Sequence, residues 1–308
     1  MRHTIKGLTL GSIFLCLSQL AHAPAYAEAL TIKHTQGEVT LQETPKKVLV
    51  LDINALDIID ALGVEPAGVP GSNLPSYLSK YASDDYAKVG SLFEPDYEAI
   101  NAAEPDLVIV GGRSRTKFRE VSEIAPTIDL SVDSEPFTEA LKANIATLGE
   151  IFDRREKAAE MIATFDDKVQ ELKKSASDAG TALILVTNAG KVGAYGPNSR
   201  VGWLHKEIGF RPVEDDIDDR FHGGDIVSFE YILEKDPDWL FIIDRDAGVG
   251  NAGNSAEATL DNELVARTQA VRNGHVVYLD PQAAYVVSAG YTSVSKLLDE
   301  VREAVSRK

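Results

Sequence analysis

Short runs rich in β-branched and aromatic residues recur along this chain at Val48–Leu51, Leu107–Val110, Leu183–Val186, Trp239–Ile243 and His275–Leu279. Amphipathic stretches of helical length separate them, a pattern that predicts α/β units built around mostly parallel sheets. One stretch is longer than the rest. Asp153-Arg154-Arg155-Glu156 has the form of a capping box. From there Ala158, Ala159, Ile162, Phe165, Val169 and Leu172 keep three-to-four spacing to about Ser177, and no proline occurs between Pro136 and Pro197. Such a helix reaches roughly 37 Å at 1.5 Å per residue. It is predicted to be a spine over 151–178, joining an α/β lobe at 28–150 to a second at 179–308.

An internal repeat supports the two-lobed plan. Glu98-Ala99-Ile100 through Glu104-Pro105-Asp106-Leu107 aligns without a gap on Glu230-Tyr231-Ile232 through Asp236-Pro237-Asp238-Trp239. Each half reads as a helix passing through (Glu/Asp)-Pro-Asp into an apolar strand. The register continues until Arg113 meets Arg245 at the strands' carboxyl ends. Packing alone can produce repeats, but a gapless match that includes both arginines favours duplication. Ligands of open α/β sheets bind outside the carboxyl ends of strands, so two facing lobes would bring both arginines to one cleft.

The N-terminus changes the compartment. Arg2 and Lys6 precede an apolar stretch, Leu8–Leu20, too short to span a bilayer, and Ala25-Tyr26-Ala27 offers small residues where a signal peptidase reads. Cleavage after Ala27 is expected, with the mature chain starting at Glu28 and free in the periplasm. A lipid anchor would need Cys16, but Leu15 is large for a lipobox. Cys16 is the only cysteine, so the mature chain has neither disulfides nor thiolate metal sites. Removing residues 1–27 takes away two basic groups and no acidic one, moving the formal charge from −17 to −19. This charge disfavours nucleic acid and anionic lipid as partners. An acidic protein that binds an anion must then build a positive pocket locally, which makes clustered arginines informative.

Arg200 is a third candidate for that pocket, following Ser199, which is expected to cap a helix whose backbone donors would add to an anion site. Other motifs fall short. Gly248-Val249-Gly250-Asn251-Ala252-Gly253 has dinucleotide-fingerprint spacing but sits in a long Gly/Asn/Ala/Ser loop. The chain has no Gly-x-Ser-x-Gly elbow, His-Glu-x-x-His helix or Walker loop. His34, His205 and His275 lack metal spacing, which argues against a bare Zn or Mn carrier.

Glu98–Arg113, Gly196-Pro197-Asn198-Ser199-Arg200, His222-Gly223 and Val277-Tyr278-Leu279-Asp280-Pro281 together resemble the periplasmic siderophore-binding proteins of iron ABC importers. The likeness is to the subgroup that takes ferric catecholates, and it covers nearly the whole mature chain. It implies two α/β lobes joined by one long helix with little hinge motion, an Fe(III)-siderophore complex as ligand, no cofactor, no catalysis, a monomer, and an inner-membrane ABC permease as partner. By resemblance Arg113, Arg200 and Arg245 are the pocket arginines, with Arg115 a rival to Arg113 because the loop is one residue longer than usual. His222 and Tyr285 would complete the iron shell of a four-donor siderophore, phenolate being a hard oxygen donor and imidazole an acceptable nitrogen one; Tyr291 is the rival tyrosine. Ala283 and Ala284 stand where the family often has aromatics. Glu98 and Glu230, at equivalent places in the repeat, would dock on permease arginines, or else simply favour their helix starts. Haem or a hydroxamate siderophore is the alternative within transport, and a secreted α/β hydrolase the alternative outside it.

Overall fold

The computed structural model describes residues 1, 29–132, 136–218 and 223–307. The expected leader at 1–27, the mature start at Glu28 and His222 lie outside the described residues. A hairpin, β1 (Leu30–His34) and β2 (Gly37–Leu41), opens the fold. Next come β3 (Val48–Val50), β4 (Gly68–Val69), β5 (Ala87–Lys88), β6 (Leu107–Val110) and β7 (Thr127–Asp129). These five form an all-parallel sheet in the order β5-β4-β3-β6-β7. The chain builds outward from β3 and then resumes beside it at β6, so the switch point lies between those two strands.

The second half supplies β8 (Thr181–Asn188), β9 (Lys191–Tyr195), β10 (Arg211–Pro212), β11 (Asp225–Ile226), β12 (Trp239–Asp244) and β13 (Val276–Tyr278). They form a mixed sheet, β11-β9-β8-β12-β13, with β10 also on β8. β12 runs parallel to both β8 and β13, while β9 is antiparallel to β8. The fold is therefore two α/β lobes, the first wholly parallel and the second mostly so.

Between them runs the helix Arg155–Ala176, about 33 Å long at 1.5 Å per residue. It buries Ala158, Met161, Phe165, Val169, Leu172 and Ala176, one stripe at three-to-four spacing. No capping box opens it. The N-cap is Arg154, with no side-chain cap bond, and Asp153 has φ +53. Asp153 instead turns the chain out of the preceding helix, Phe137–Ile151. The two helices approach closely at Gly149, where an added Cβ would lie 2.4 Å from that of Ala158.

The lobes do not keep wholly separate cores. The inner faces of both sheets and the stripe of the connecting helix join in one hydrophobic cluster, from Val50 and Ile109 through Phe165 to Trp239 and Phe241. Two smaller clusters cover the outer faces. Each half of the repeat also solves the same local problem twice. The helices Tyr97–Ala103 and Phe229–Lys235 are capped by Asp96 and Ser228 and end on left-handed residues, Glu104 at φ 47 and Asp236 at φ 39, before a proline that cannot continue them. The aspartate after that proline then pins the neighbouring strand: Asp106 accepts from Lys46 and Lys47 N at 2.8 Å, ahead of β3, and Asp238 from Thr181 N at 2.7 Å, at the start of β8.

Two carboxylates tie the halves together by capping helices far away in sequence. Pro136 and Gly290, which precede helices Phe137–Ile151 and Tyr291–Ser306, have no side chain that can cap. Glu207, from the second half, accepts from Phe137 N at 2.6 Å and Thr138 N at 3.2 Å. Asp57, from the first, accepts from Thr292 N at 2.7 Å and Ser293 N at 3.1 Å. Each satisfies orphan amide donors at a positive helix end.

Candidate functional site

The first arginine is delivered by the turn after β6. Gly112 has φ +47, and a Cβ on Gly111 would lie 3.1 Å from Cγ of Asp52, so this turn runs close over a buried carboxylate. Ser114 Oγ ties the turn, donating to Gly111 O at 3.1 Å and accepting from Gly111 N at 3.2 Å. Held this way, Arg113 crosses between the lobes. Its Nη2 donates to Tyr285 O at 2.9 Å and its Nη1 to Val286 O at 3.0 Å.

Arg200 and Arg245 come from the other lobe. Arg200 Nη1 donates to the same Tyr285 O at 2.8 Å, and its guanidinium carbon lies 4.5 Å from the Tyr285 ring centroid. Arg245, at the end of β12, donates from Nε to Tyr285 Oη at 3.0 Å and from Nη1 to Asn188 Oδ1 at 3.0 Å. The three candidate arginines therefore meet at one residue.

Tyr285 sits in a π-helical turn, Gln282–Val286. Carbonyls at the end of such a turn lack a helical donor, which leaves those of Tyr285 and Val286 to the guanidinium groups. Ala283 and Ala284 are fully buried beneath it; they pack into the core instead of lining the cleft. Tyr291, six residues on, opens the C-terminal helix and feels the charges of Lys157, Glu160 and Asp57 rather than the arginines. Arg115 lies two residues past Arg113, at the start of a short helical turn, and its carbonyl accepts from Gln36 Nε2 at 3.2 Å, on the side of the β1–β2 hairpin.

The electrostatics follow from crowding three cations. Burial, and then the charge of Arg200, push the Arg113 pKa down. Asp52 is fully buried under this turn; burial raises its pKa, while its bond from Ala55 N and the Arg113 charge oppose the rise. Tyr195, buried at the end of β9, has its phenol pushed up to about 12 by burial, against the pull of Arg200. A cavity of about 210 Å³ opens beside Arg200, lined by Phe137, Ser199, Trp203 and Ser288 among others. Ser199 Oγ and Trp203 Nε1 are buried there with no hydrogen-bond partner among the described residues. Ser199 therefore caps no helix: it lies in a run of turns in which its carbonyl accepts from Gly202 N at 2.9 Å.

Sequence reasoning missed Tyr195, Asn188 and the Trp203 cavity. Nothing local marks them, because each is brought to the arginines by pairing of β8 with β9 or by lobe packing. His222 lies outside the described residues; Gly223 lies beside Asn188, the partner of Arg245. Glu98 and Glu230 are both exposed in the first turns of their helices. A hydrogen bond from its own backbone N–H, and then one from Ser228, lower the Glu230 pKa. No helix among the described residues is long and apolar enough to cross a membrane.

Residues 48–283 match the family model described as "Periplasmic binding protein". The chain belongs to the periplasmic binding protein family. This binding protein is 38% identical over 285 residues to the petrobactin-binding protein YclQ of Bacillus subtilis, covering 91% of this chain and 89% of that one. It is 32% identical over 278 residues to the ferric-anguibactin-binding protein FatB of Vibrio anguillarum, covering 88% and 86%. The crystal structure of the periplasmic catecholate-siderophore binding protein VctP from Vibrio cholerae superimposes with a TM-score of 0.85 at 33% identity, over 90% of this chain and all of that one. YclQ, FatB and VctP are all binding proteins by name.

Proposed function

We propose that this protein is the periplasmic capture component of an iron ABC importer, that it holds a ferric siderophore of the catecholate type between its lobes, and that it catalyses no reaction. The observation that carries the proposal is the convergence of Arg113, Arg200 and Arg245 on Tyr285 in a chain of formal charge −17. A ferric catecholate is a bulky anion, and planar guanidinium groups suit it because they donate directed hydrogen bonds and stack on rings. Of the relatives, VctP is by name a catecholate-siderophore binding protein and FatB a ferric-anguibactin-binding one, which supports a ferric chelate as ligand.

Within this proposal Tyr285, whose phenol already receives Arg245 Nε, is the hard oxygen donor to iron, and His222 is the nitrogen donor. Glu98 and Glu230 present one carboxylate from each lobe to arginines of the inner-membrane permease. The decisive experiment titrates purified protein with ferric complexes of four-donor and six-donor catecholates, following fluorescence quenching and charge-transfer colour. Saturable binding of at least one is expected; no binding of either would overturn the proposal.

A further inference from the structure

Phe93 is left 52% exposed, and it is not on a loose loop. Gly90 adopts φ +106, and a Cβ there would lie 2.4 Å from Glu94 O, so the turn closes as tightly as glycine permits. Gly90 and Pro95 pair as an antiparallel bridge, and Ser91 N donates to Glu94 O at 2.8 Å. Ser91 Oγ accepts from Phe93 N at 3.2 Å and Glu94 N at 3.0 Å. Lys117 pins the outside of the loop through Glu94 at 2.9 Å. A large apolar side chain is thus held out towards solvent on a turn whose polar backbone is largely bonded.

What the ring meets gives it a use. Its centroid lies 5.9 Å from Cζ of Arg113. Arg113 commits its edge donors, Nη1 and Nη2, to the carbonyls of Val286 and Tyr285, so the guanidinium is anchored while Phe93 extends beyond it. An aromatic face next to a partly desolvated cation attracts planar, electron-rich rings through stacking and cation–π contact. Less entropy is lost on stacking than on a loose loop, because the turn already holds the backbone that carries the ring.

We propose that Phe93 is the ring platform of the site: it stacks on an aromatic ring of the ligand and so selects iron chelates whose donor oxygens are carried on arenes over chelates built from aliphatic hydroxamates. This inference rests on the siderophore proposal above. It is tested with the full chain, titrated with a ferric bis-catecholate and with a ferric trihydroxamate, for wild type, Phe93→Ala, Phe93→Leu and Phe93→Trp. Because the side chain is exposed, all four proteins should fold, which thermal melts check. Phe93→Ala and Phe93→Leu should each weaken the catecholate by about three- to tenfold and change the hydroxamate by less than about twofold, while Phe93→Trp retains catecholate binding. Equal affinity of wild type and Phe93→Ala for the catecholate, or equal losses on both chelates, overturns the platform and leaves the siderophore proposal standing. Failure of wild type to bind either chelate overturns both.

Discussion

Arg113 and Arg200, one from each lobe, donate to a single atom, the carbonyl oxygen of Tyr285, at 2.9 and 2.8 Å. Two like charges on one neutral acceptor repel, and part of the lowering of the Arg113 pKa comes from Arg200. An anion placed between them relieves that repulsion, so the pair is arranged to gain from ligand charge.

Single replacement of Arg113, Arg200 or Arg245 by Ala should weaken a ferric catecholate at least tenfold, since losing a charged hydrogen bond in a partly desolvated site costs about 1.5–3 kcal/mol. The fold should survive each change. Arg113 and Arg200 back each other up on the Tyr285 carbonyl, and Arg245 holds a phenol rather than backbone. Equilibrium titration with parallel thermal melts checks both; unchanged affinity in all three variants would remove the basic pocket.

Tyr285→Phe and His222→Ala should matter for a four-donor siderophore and far less for a six-donor one. Octahedral iron with four chelate oxygens keeps two positions open, whereas a six-donor chelator leaves none. The charge-transfer band of the four-donor complex should shift on binding to wild type and lose that shift in both variants. If the variants keep wild-type spectra and affinity, the protein does not ligate iron through these residues.

Asp57 makes folding stability depend on pH. Burial pushes its carboxyl up to about 6, opposed by bonds from Tyr77 Oη, Thr292 N and Ser293 N. A carboxyl raised in the folded state favours folding when protonated, so its contribution is complete below about pH 4 and is lost as pH rises through 6. Measured against Asp57→Asn, wild type should lose on the order of 2–3 kcal/mol between pH 4 and 7. Denaturant melts across that range check the direction, and parallel curves for the two proteins would contradict it.

Glu98→Ala and Glu230→Ala should bind siderophore like wild type and melt within a few degrees of it, because both residues are exposed in first turns already capped by Asp96 and Ser228. Uptake into vesicles carrying the permease should fail. Full uptake by the double variant would reduce these glutamates to helix starts.

Much of the architecture was legible because it is decided locally. The strands at Leu107–Val110 and Trp239–Asp244, the stripe through Ala158, Phe165, Val169 and Leu172 (with Met161 buried in place of the expected Ala159, which is exposed) and the repeated acidic-Pro-Asp turn each depend on residues within a turn or two of one another. The repeat also marked Arg113 and Arg245, since the end of an equivalent strand is an equivalent place. The expected capping box at Asp153 failed because the spacing was right but the backbone there must reverse direction, which it does with φ +53.

By itself, then, the sequence determined two α/β units, the helix between them and which arginines stand at strand ends, all consequences of short-range periodicity and turn chemistry. Only the tertiary structure decided that the arginines meet at Tyr285 and not Tyr291, that Asp57 and Glu207 cap helices begun by Gly290 and Pro136, and that Phe93 stands against Arg113. Each of these contacts joins residues about twenty to more than two hundred positions apart. Those of Arg113 with Tyr285, of Glu207 with Phe137 and of Asp57 with Thr292 form only when the two halves close on the shared core around Phe165. Those of Arg200, Arg245 and Phe93 need distant loops of one lobe to pack together, and neither kind of packing is encoded by a local pattern.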